Sequence, residues 1–509
     1  MMKNARMFFR VVALCMVLVF SLSFATACNP SGSGMVNDLK FDEYGEIIFD
    51  GTELTVWSVI GEPDNAYLDV VNKQFNDYYA SNGLSAKIVS LSVGDFYTQL
   101  ANTINTDPES APDVVIYHSE RLTDLANSKI ILPMDEYFEA IPNNDFSTDN
   151  YYQSLMQECM YDGKVYGVPL DVHGGMWYVR TDILEKNGLE MPTSLSEFVE
   201  VCNQLITLYE EGRLWHRAMD KTNPANCNWT QAKDLGEHFY PVVMSDEGGI
   251  ENGWIPQTAV LQNGGKLVGE NGRPAWNTDA LVEVMTMLRN WQSGEGDFNG
   301  TPYAGKFVEG NDDAQTVWSK LSSGAAVFSC EGPWYAEQRL EEYNAVLGSL
   351  TDSQGKTYSP LGLLNMSKLY ALDENSADAS KIYGVGHAFS ISRTVTSMTK
   401  AVGAALYAQY MTEHSMDYLQ GGHLPAYKAI YESEEFKSQP FYKQYLEAFD
   451  SPENYVTLGN TAYYTEVYEQ LKGVYIDIFT ASKLNKTPFE IVTDRFNTAI
   501  ALIEADEEL

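Results

Sequence analysis

Short apolar runs alternate with helical apolar patterns in the first quarter of the chain, and this alternation restricts the fold strongly. The run Leu54–Ile60 has the length of a buried strand, and Asn65–Tyr79 then spaces its apolar residues at helical intervals. A strand at Ala86–Leu91, a helix at Phe96–Ile104 and a strand at Asp113–Tyr117 repeat the same order. Strands that alternate with helices predict an α/β fold built on a parallel sheet.

The predicted pattern changes after Gly163, where short strands are separated by longer helical segments. The predicted strands are 164–170, 176–179, 325–330 and 387–391. The predicted helices are 197–211, 278–292, 313–323, 334–343, 396–413 and 488–504. The chain is long enough for two or three lobes with their own cores.

The N-terminus has the pattern of a secretory signal peptide. Three basic residues precede the apolar run Val11–Phe20, and small residues then lead to Cys28. The apolar run is short for a spanning helix, which needs about 20 apolar residues. The cysteine after Ala-Thr-Ala resembles a bacterial lipobox, although Ala25 replaces the usual leucine. We therefore predict that residues 1–27 are removed and that Cys28 carries a lipid, which leaves an ordinary signal peptide or a retained anchor as the alternatives.

Charge and cysteine content exclude several classes of partner. Removal of residues 1–27 moves the formal net charge from −37 to −40. A chain this acidic repels nucleic acid and anionic lipid, so the membrane contact is expected through the lipid of Cys28 alone. Cys159, Cys202, Cys227 and Cys330 show no CxxC pair and no zinc spacing. We expect them to be buried small hydrophobic residues rather than disulfides.

Several segments, taken in chain order, resemble the extracellular solute-binding proteins of bacterial ABC importers, in their carbohydrate-binding, maltodextrin-binding-protein-like group. Each segment alone is a weak signal, but their order behind a lipobox is a strong one. The segments are Pro112–Arg121, Ile131–Glu136, Asp162–Leu170, Trp177–Leu184, Asn187–Leu189, Met191–Ser194, Gln262–Lys266, Gly324–Trp334 and Gly421–Pro425.

The resemblance implies an α/β, two-lobed periplasmic-binding-protein-like fold with a ligand cleft between lobes that crossing hinge strands connect. It implies an N-terminal lobe from residues 51–171 plus 387–432, and a C-terminal lobe from residues 173–386 plus 433–509. Residues 28–50 start with a Gly/Ser-rich sequence and are predicted to be a flexible tether.

A sugar site needs aromatic platforms together with side chains that donate and accept hydrogen bonds. In open α/β sheets such a cleft lies beyond the carboxyl ends of the strands, which favours the residues just after each strand. Tyr117, Glu120 and Arg121 also occupy positions where the family has an aromatic residue, an acid and an arginine, and Trp334 matches its stacking tryptophan. The predicted ligand-binding residues are Glu62, Tyr117, His118, Glu120, Arg121, Asp171, His173, Trp254, Glu331, Trp334 and His387, with Trp276 as a further platform.

The resemblance implies a monomeric, lipid-anchored receptor on the outer face of the cytoplasmic membrane, as in Gram-positive lipoproteins. It would capture an oligosaccharide and deliver it to the permease subunits of an ABC transporter. Neither a cofactor nor a metal ligand set is predicted. The alternatives are a surface glycan-processing enzyme and a ligand sensor for a membrane kinase. The enzyme is disfavoured because G-x-S-x-G, H-E-x-x-H and P-loop motifs are missing from the sequence.

Overall fold

The computed structural model describes residues 34–231, 238–245, 252–310, 313–351, 357–438, 451–459, 461–480, 483 and 485–507. Its helices lie close to the predicted positions; the helix predicted at 488–504, for example, spans Pro488–Glu507. In chain order the α-helices are Asn65–Tyr79, Val93–Thr106, Leu122–Asn127, Asp135–Glu139, Gln153–Glu158, Thr181–Lys186, Leu195–Glu210, Ile255–Gln262, Asp279–Ser293, Ala314–Ser323, Ala336–Leu347, Met398–Glu413, Ala429–Glu432, Glu434–Ser438, Tyr464–Phe479 and Pro488–Glu507.

The first sheet contains the early strands of the chain and forms the centre of the first lobe. Its order is Leu84–Ser90, Thr52–Ser58, Val114–His118, His387–Ser392 and Ile131–Leu132, with Val168–Pro169 also paired to His387–Ser392. The three earliest strands are parallel, as the alternation predicts. The strand His387–Ser392, called here the return strand, is antiparallel to Val114–His118. The parallel sheet predicted from the early strands is therefore present among them, and the return strand is antiparallel because the chain re-enters the sheet from the opposite lobe.

Two strands cross between the lobes. The first crossing strand, Asp171–Gly174, pairs antiparallel with the second crossing strand, Ile382–Val385. Leu424–Pro425 pairs with the first crossing strand and Tyr455–Val456 with the second, which completes a four-stranded hinge sheet. The return strand begins only two residues after Val385, so the hinge leads directly into the first sheet.

The second sheet forms the centre of the second lobe. Its order is Val242–Val243, Phe328–Glu331, Met176–Val179 and Gly362–Asn365. Short two-stranded ribbons lie outside the main sheets; they pair Met160–Tyr161 with Lys164–Val165, Trp215–His216 with Thr230–Gln231, Asp297–Phe298 with Thr301–Pro302, and Leu350–Thr351 with Thr357–Tyr358. The C-terminal helices Tyr464–Phe479 and Pro488–Glu507 pack on each other and on the helix Asp279–Ser293 of this lobe.

The sequence encodes the start of the helix Leu195–Glu210 locally. The hydroxyl of Ser194 accepts a hydrogen bond from the backbone N–H of Glu197 at 3.4 Å. The carboxylate of Glu197 in turn accepts one from the backbone N–H of Thr193 at 2.7 Å. The first bond satisfies a backbone donor that the first helical turn leaves without a partner, and the second connects that turn to the residue before the cap.

The later part of the predicted tether is packed on the first lobe. Phe49 is buried, and the backbone N–H of Val36 donates to the carbonyl of Thr396 at 2.7 Å. Asp38 accepts hydrogen bonds from the Ser397 hydroxyl at 2.7 Å and from the Thr399 backbone N–H at 2.9 Å. Residues 34–50 are therefore held on the first lobe at several points, through the buried side chains of Ile47 and Phe49 and through the hydrogen bonds of Val36 and Asp38.

The structure confirms the expectation of buried thiols for three of the four described cysteines. Cys159, Cys202 and Cys330 are buried, Cys227 is half-buried, and all four are free thiols. Cys28 and the predicted signal peptide lie outside the described residues. Within the described part of the chain, no helix has both the length and the apolar composition that a membrane crossing requires.

Candidate functional site

The hinge brings four buried side chains together at the junction of the lobes. Asp171 and His173 come from the first crossing strand, and both side chains lie on the strand's same face because they are two residues apart. His387 opens the return strand, and His423 lies just before the hinge strand Leu424–Pro425. The four residues are called here the hinge cluster, and each of them is at most 5% exposed.

Asp171 is the centre of the hinge cluster. The backbone N–H of His387 donates to Asp171 Oδ1 at 2.6 Å, and His387 Nδ1 lies 3.1 Å from both carboxylate oxygens. His423 Nδ1 lies 2.5 Å from Asp171 Oδ2. One carboxylate therefore orients two imidazoles that the chain separates by 36 residues.

His423 links the cluster to a second carboxylate. Its Nε2 atom lies 3.1 Å from Asp64 Oδ2, while its Nδ1 atom lies 3.0 Å from His173 Nδ1. Its ring stacks on Tyr418 with a centroid distance of 4.3 Å. These contacts hold the His423 imidazole in place through both ring nitrogens and one ring face.

Neighbouring charges and burial shift the pKa values of His423 and His173 in opposite directions. Burial opposes the charged form of His423, but Asp171 and Asp64 outweigh it and raise the pKa of His423 to about 9. Burial and the neighbouring charge of His423 instead lower the pKa of His173 to about 3. Although burial acts in the opposite direction, His387 and His423 hold the pKa of Asp171 well below its ordinary value. His423 is therefore cationic at neutral pH and His173 is neutral.

Two tryptophans of the second lobe stand beside the cluster. The ring centroids of Trp254 and Trp334 each lie 6.0 Å from that of His173, and the two indoles lie 6.5 Å apart. Trp254 is buried and its Nε1 atom donates to the Tyr468 hydroxyl at 3.3 Å. Trp334 is half-buried in the turn Pro333–Tyr335. The structure thus places both predicted platforms at the lobe junction.

Residues after the strand Val114–His118 extend the site along the first lobe. The His118 ring lies 5.1 Å from that of His387, and its Nδ1 atom lies 2.9 Å from the Tyr97 hydroxyl. The Arg121 guanidinium lies over the Tyr97 ring at 4.7 Å and over Tyr464, from the C-terminal helices, at 5.3 Å. Burial raises the pKa of Glu120 to about 7.

The structure places other predicted site residues elsewhere. Tyr117 is fully buried within the first lobe, where its hydroxyl accepts a hydrogen bond from Ser390 at 2.9 Å. Successive side chains of a strand point to opposite faces, so His118 reaches the junction and Tyr117 does not. Glu62 is exposed, and Trp276 is buried against Phe496 at a centroid distance of 5.2 Å. Glu331 is buried at the end of its strand in the second sheet.

Sequence reasoning missed His423 and Asp64. His423 lies inside the Gly421–Pro425 segment, which pointed to the hinge but not to a side chain in the site. Asp64 lies just past Glu62, the residue that was predicted. The scarcity of histidine was the available signal, because the chain has only seven and four of them, His118 and the three of the hinge cluster, lie at strand ends or hinge segments.

The hinge cluster offers one carboxylate and three imidazoles, whose ligand atoms all lie within 4.8 Å of one another. Such a set can exchange hydrogen bonds with a polar solute or coordinate a metal ion. The lobes touch beside it, since the Tyr67 hydroxyl of the first lobe donates to the Glu337 carboxylate of the second. The site therefore lies in a junction between lobes that are in contact.

Comparison with known proteins agrees with this architecture. The sugar-binding protein MalE of Xanthomonas citri is 14% identical, with a TM-score of 0.64 over 90% of this chain and 100% of that one. The GacH receptor of Streptomyces glaucescens, solved unliganded and with acarbose, is 15% identical, with a TM-score of 0.63 over 89% of this chain and 98% of that one. An ABC substrate-binding protein of Listeria monocytogenes in complex with cycloalternan is 15% identical, with a TM-score of 0.61 over 89% of this chain and all of that one.

The search of curated proteins found no match. The model of the bacterial extracellular solute-binding proteins matches residues 73–444, which is more than half of the chain. These residues contain both crossing strands and the whole hinge cluster. The chain therefore belongs to the family of bacterial extracellular solute-binding proteins.

Proposed function

We propose that the protein is the sugar-binding receptor of an ABC importer and that it captures an oligosaccharide between its lobes. The observation that carries the proposal is the pair of indoles, Trp254 and Trp334, at the lobe junction that His118 of the first lobe also reaches. Indole faces pack on the apolar faces of sugar rings, and imidazoles and carboxylates match sugar hydroxyls. The acarbose and cycloalternan complexes of structurally similar receptors support the choice of an oligosaccharide.

Binding in this position would favour the closed arrangement of the lobes. A ligand that contacts both Trp334 of the second lobe and His118 or Arg121 of the first interacts fully only when the lobes are together. Such a differential affinity shifts the population toward the closed state. The closed receptor would then be the form that delivers the sugar to the permease.

The lipid anchor belongs to the same proposal. A lipid on Cys28 would keep the receptor at the outer face of the cytoplasmic membrane, next to the permease that it must meet repeatedly. Confinement to one surface raises the effective concentration of the two partners. The lipobox resemblance at Ala25–Cys28 supports this anchor.

Calorimetric titration of the full chain with linear and cyclic oligosaccharides tests the proposal, with short peptides as the contrasting ligands. We expect one saturable site for at least one oligosaccharide. Trp334→Ala should weaken binding by about 1 kcal/mol or more, which is roughly fivefold in affinity, because a stacking surface is lost.

Trp229→Ala is the matched control, since Trp229 is also half-buried but packs with Lys186 and Arg217 away from the junction. Its affinity should equal that of the unmodified protein. Binding of peptides and of no glycan would contradict the proposal. Recovery of the bound oligosaccharide intact after prolonged incubation separates a receptor from a glycan-processing enzyme.

A further inference from the structure

We propose that the hinge cluster, Asp171, His173, His387 and His423, is a binding site for a divalent transition-metal ion of the zinc class. The inference goes beyond the proposed sugar-binding function and does not depend on it. Three imidazoles and one carboxylate are donors that suit zinc. They come from three separate segments of the chain that meet only at the hinge.

The distances within the cluster are those of a compact coordination site. His423 Nδ1 lies 2.5 Å from Asp171 Oδ2 and 3.0 Å from His173 Nδ1, His387 Nδ1 lies 3.1 Å from Asp171, and His173 Nδ1 lies 3.7 Å from Asp171 Oδ2. Ligand bonds of about 2.0–2.1 Å in a tetrahedron place neighbouring donor atoms about 3.4 Å apart. These four spacings lie around this value, and all the ligand atoms of the cluster lie within 4.8 Å of one another. Side-chain rotations that close the wider pairs and open the shortest one would bring the four atoms onto one ion.

One atom of the cluster faces two others at once. His423 Nδ1 lies 2.5 Å from Asp171 Oδ2 and 3.0 Å from His173 Nδ1. A metal ion that took the place of the His423 proton would accept lone pairs from all three atoms at once.

The residues around the hinge cluster include the hydrogen-bond partner that a histidine metal ligand usually has. Histidine ligands commonly donate their second ring N–H to a carboxylate, which fixes the ring and strengthens the ligand. His423 has this partner, because its Nε2 atom lies 3.1 Å from Asp64 Oδ2. Asp64 is itself 8% exposed, and its buried Oδ1 atom has no hydrogen-bond partner among the described residues. This second carboxylate beside the cluster adds negative potential that favours a cation.

The position of the cluster gives the ion a mechanical role. Asp171 and His173 lie on the first crossing strand, and His387 lies two residues past the second. His423 precedes the third strand of the hinge sheet. One ion would therefore join the strands about which the lobes move, and it would stabilise the hinge in a single geometry.

Metal titration of the full chain, purified without a polyhistidine tag and freed of metal by a chelator, tests the site. We expect one equivalent of Zn²⁺ to bind, and Co²⁺ to give the intense visible absorption of a tetrahedral complex. His173→Gln and His387→Gln should each lower the affinity at least tenfold. Asp64→Asn should lower it roughly 10- to 100-fold while one equivalent still binds, as for other outer-layer carboxylates.

His414→Gln is the matched control, because His414 is an exposed histidine outside the cluster. Its affinity for Zn²⁺ should be unchanged. Absence of one-to-one binding in the unmodified protein, or retention of full affinity in His173→Gln, would overturn the inference. The unmodified protein with Co²⁺ decides the question even if a variant fails to fold. No glycan enters these measurements, so their failure is distinct from failure of the sugar titration.

Discussion

The histidines of the hinge cluster differ in pKa because their neighbouring groups differ. His423 lies between two carboxylates and has a raised pKa, whereas His173 faces His423 and has a lowered one. Asp171 stays ionised although it is buried, since two imidazoles surround it. Buried charge is tolerated in proteins when it is paired and hydrogen-bonded in this way.

We expect Glu158 to make the stability of the first lobe depend on pH. Burial, followed by the charge of Glu120, raises the pKa of Glu158 from an ordinary 4.5 to about 8. The folded chain therefore binds this proton more tightly than the unfolded chain does. Its stabilisation is complete below pH 4.5 and is lost as the pH rises through 8. We expect this group to lower the free energy of unfolding by up to about 1.4 kcal/mol per pH unit between pH 5 and 8.

Urea denaturation at successive pH values measures this slope. Glu158→Gln imitates the neutral carboxyl, so its stability should decline less steeply with pH than that of the unmodified chain. Glu139→Gln changes an exposed glutamate of the same lobe and should leave the slope as it is. Parallel curves for Glu158→Gln and the unmodified protein would show that Glu158 titrates normally.

Strand geometry and contacts between residues distant in sequence determined which site residues could be predicted. His118 and His387 were predicted from their positions at strand ends, and Asp171 and His173 from the family's crossing segment. Tyr117 was also predicted from its position at a strand end, but the one-residue alternation of a strand turns its side chain away. His423 approaches His173 only through the pairing of Leu424 with Val172, which no local pattern reveals.

Local sequence determines most individual elements of this fold. The helix Leu195–Glu210 begins at its predicted capping residues, and the three parallel strands follow the apolar runs. The return strand has a similar apolar pattern, yet it is antiparallel. Its direction depends on the path of the chain through the second lobe, a property of topology that periodicity does not encode.

The segment before residue 50 supplies a capping group to another element. Asp38 accepts from the hydroxyl of Ser397 and from the backbone N–H of Thr399, at the start of the helix Met398–Glu413. We expect Asp38→Ala to lower the free energy of unfolding by about 0.5–1 kcal/mol, the range for a lost helix-capping bond.

Thermal or urea denaturation of the full chain measures this loss. Asn37→Ala is the control, because the Asn37 side chain accepts only a local bond from Leu39 on the exposed segment. An unchanged stability in Asp38→Ala would mean that the segment contributes nothing to the helix.

The whole molecule is held with its lobes in contact by a few direct links. Tyr67 donates to Glu337 across the junction. Gly422 approaches the other lobe so closely that a Cβ atom there would lie 2.5 Å from the Pro333 carbonyl oxygen. Its φ of +77° also disfavours any other residue. Close backbone contact of this kind requires glycine at the meeting point.

Loss of the Tyr67 hydroxyl should shift the molecule toward an open form. One cross-lobe hydrogen bond contributes about 0.5–1.5 kcal/mol, enough to change a population that is finely balanced. We expect Tyr67→Phe to have a larger radius of gyration in small-angle X-ray scattering.

Tyr78→Phe provides the comparison, because Tyr78 lies on the same helix and is 66% exposed. Its scattering curve should overlay that of the unmodified protein. If Tyr67→Phe overlays it as well, the contact with Glu337 does not govern closure.

The contacts of segment 34–50 with the first lobe would limit the distance between the folded body and a membrane if Cys28 carries the proposed lipid. Val36 and Asp38 contact the first lobe, and the six residues 28–33 span at most about 20 Å when fully extended. A receptor anchored in this way would lie close to the lipid surface with its first lobe nearest, and it would meet a permease in a narrow range of orientations.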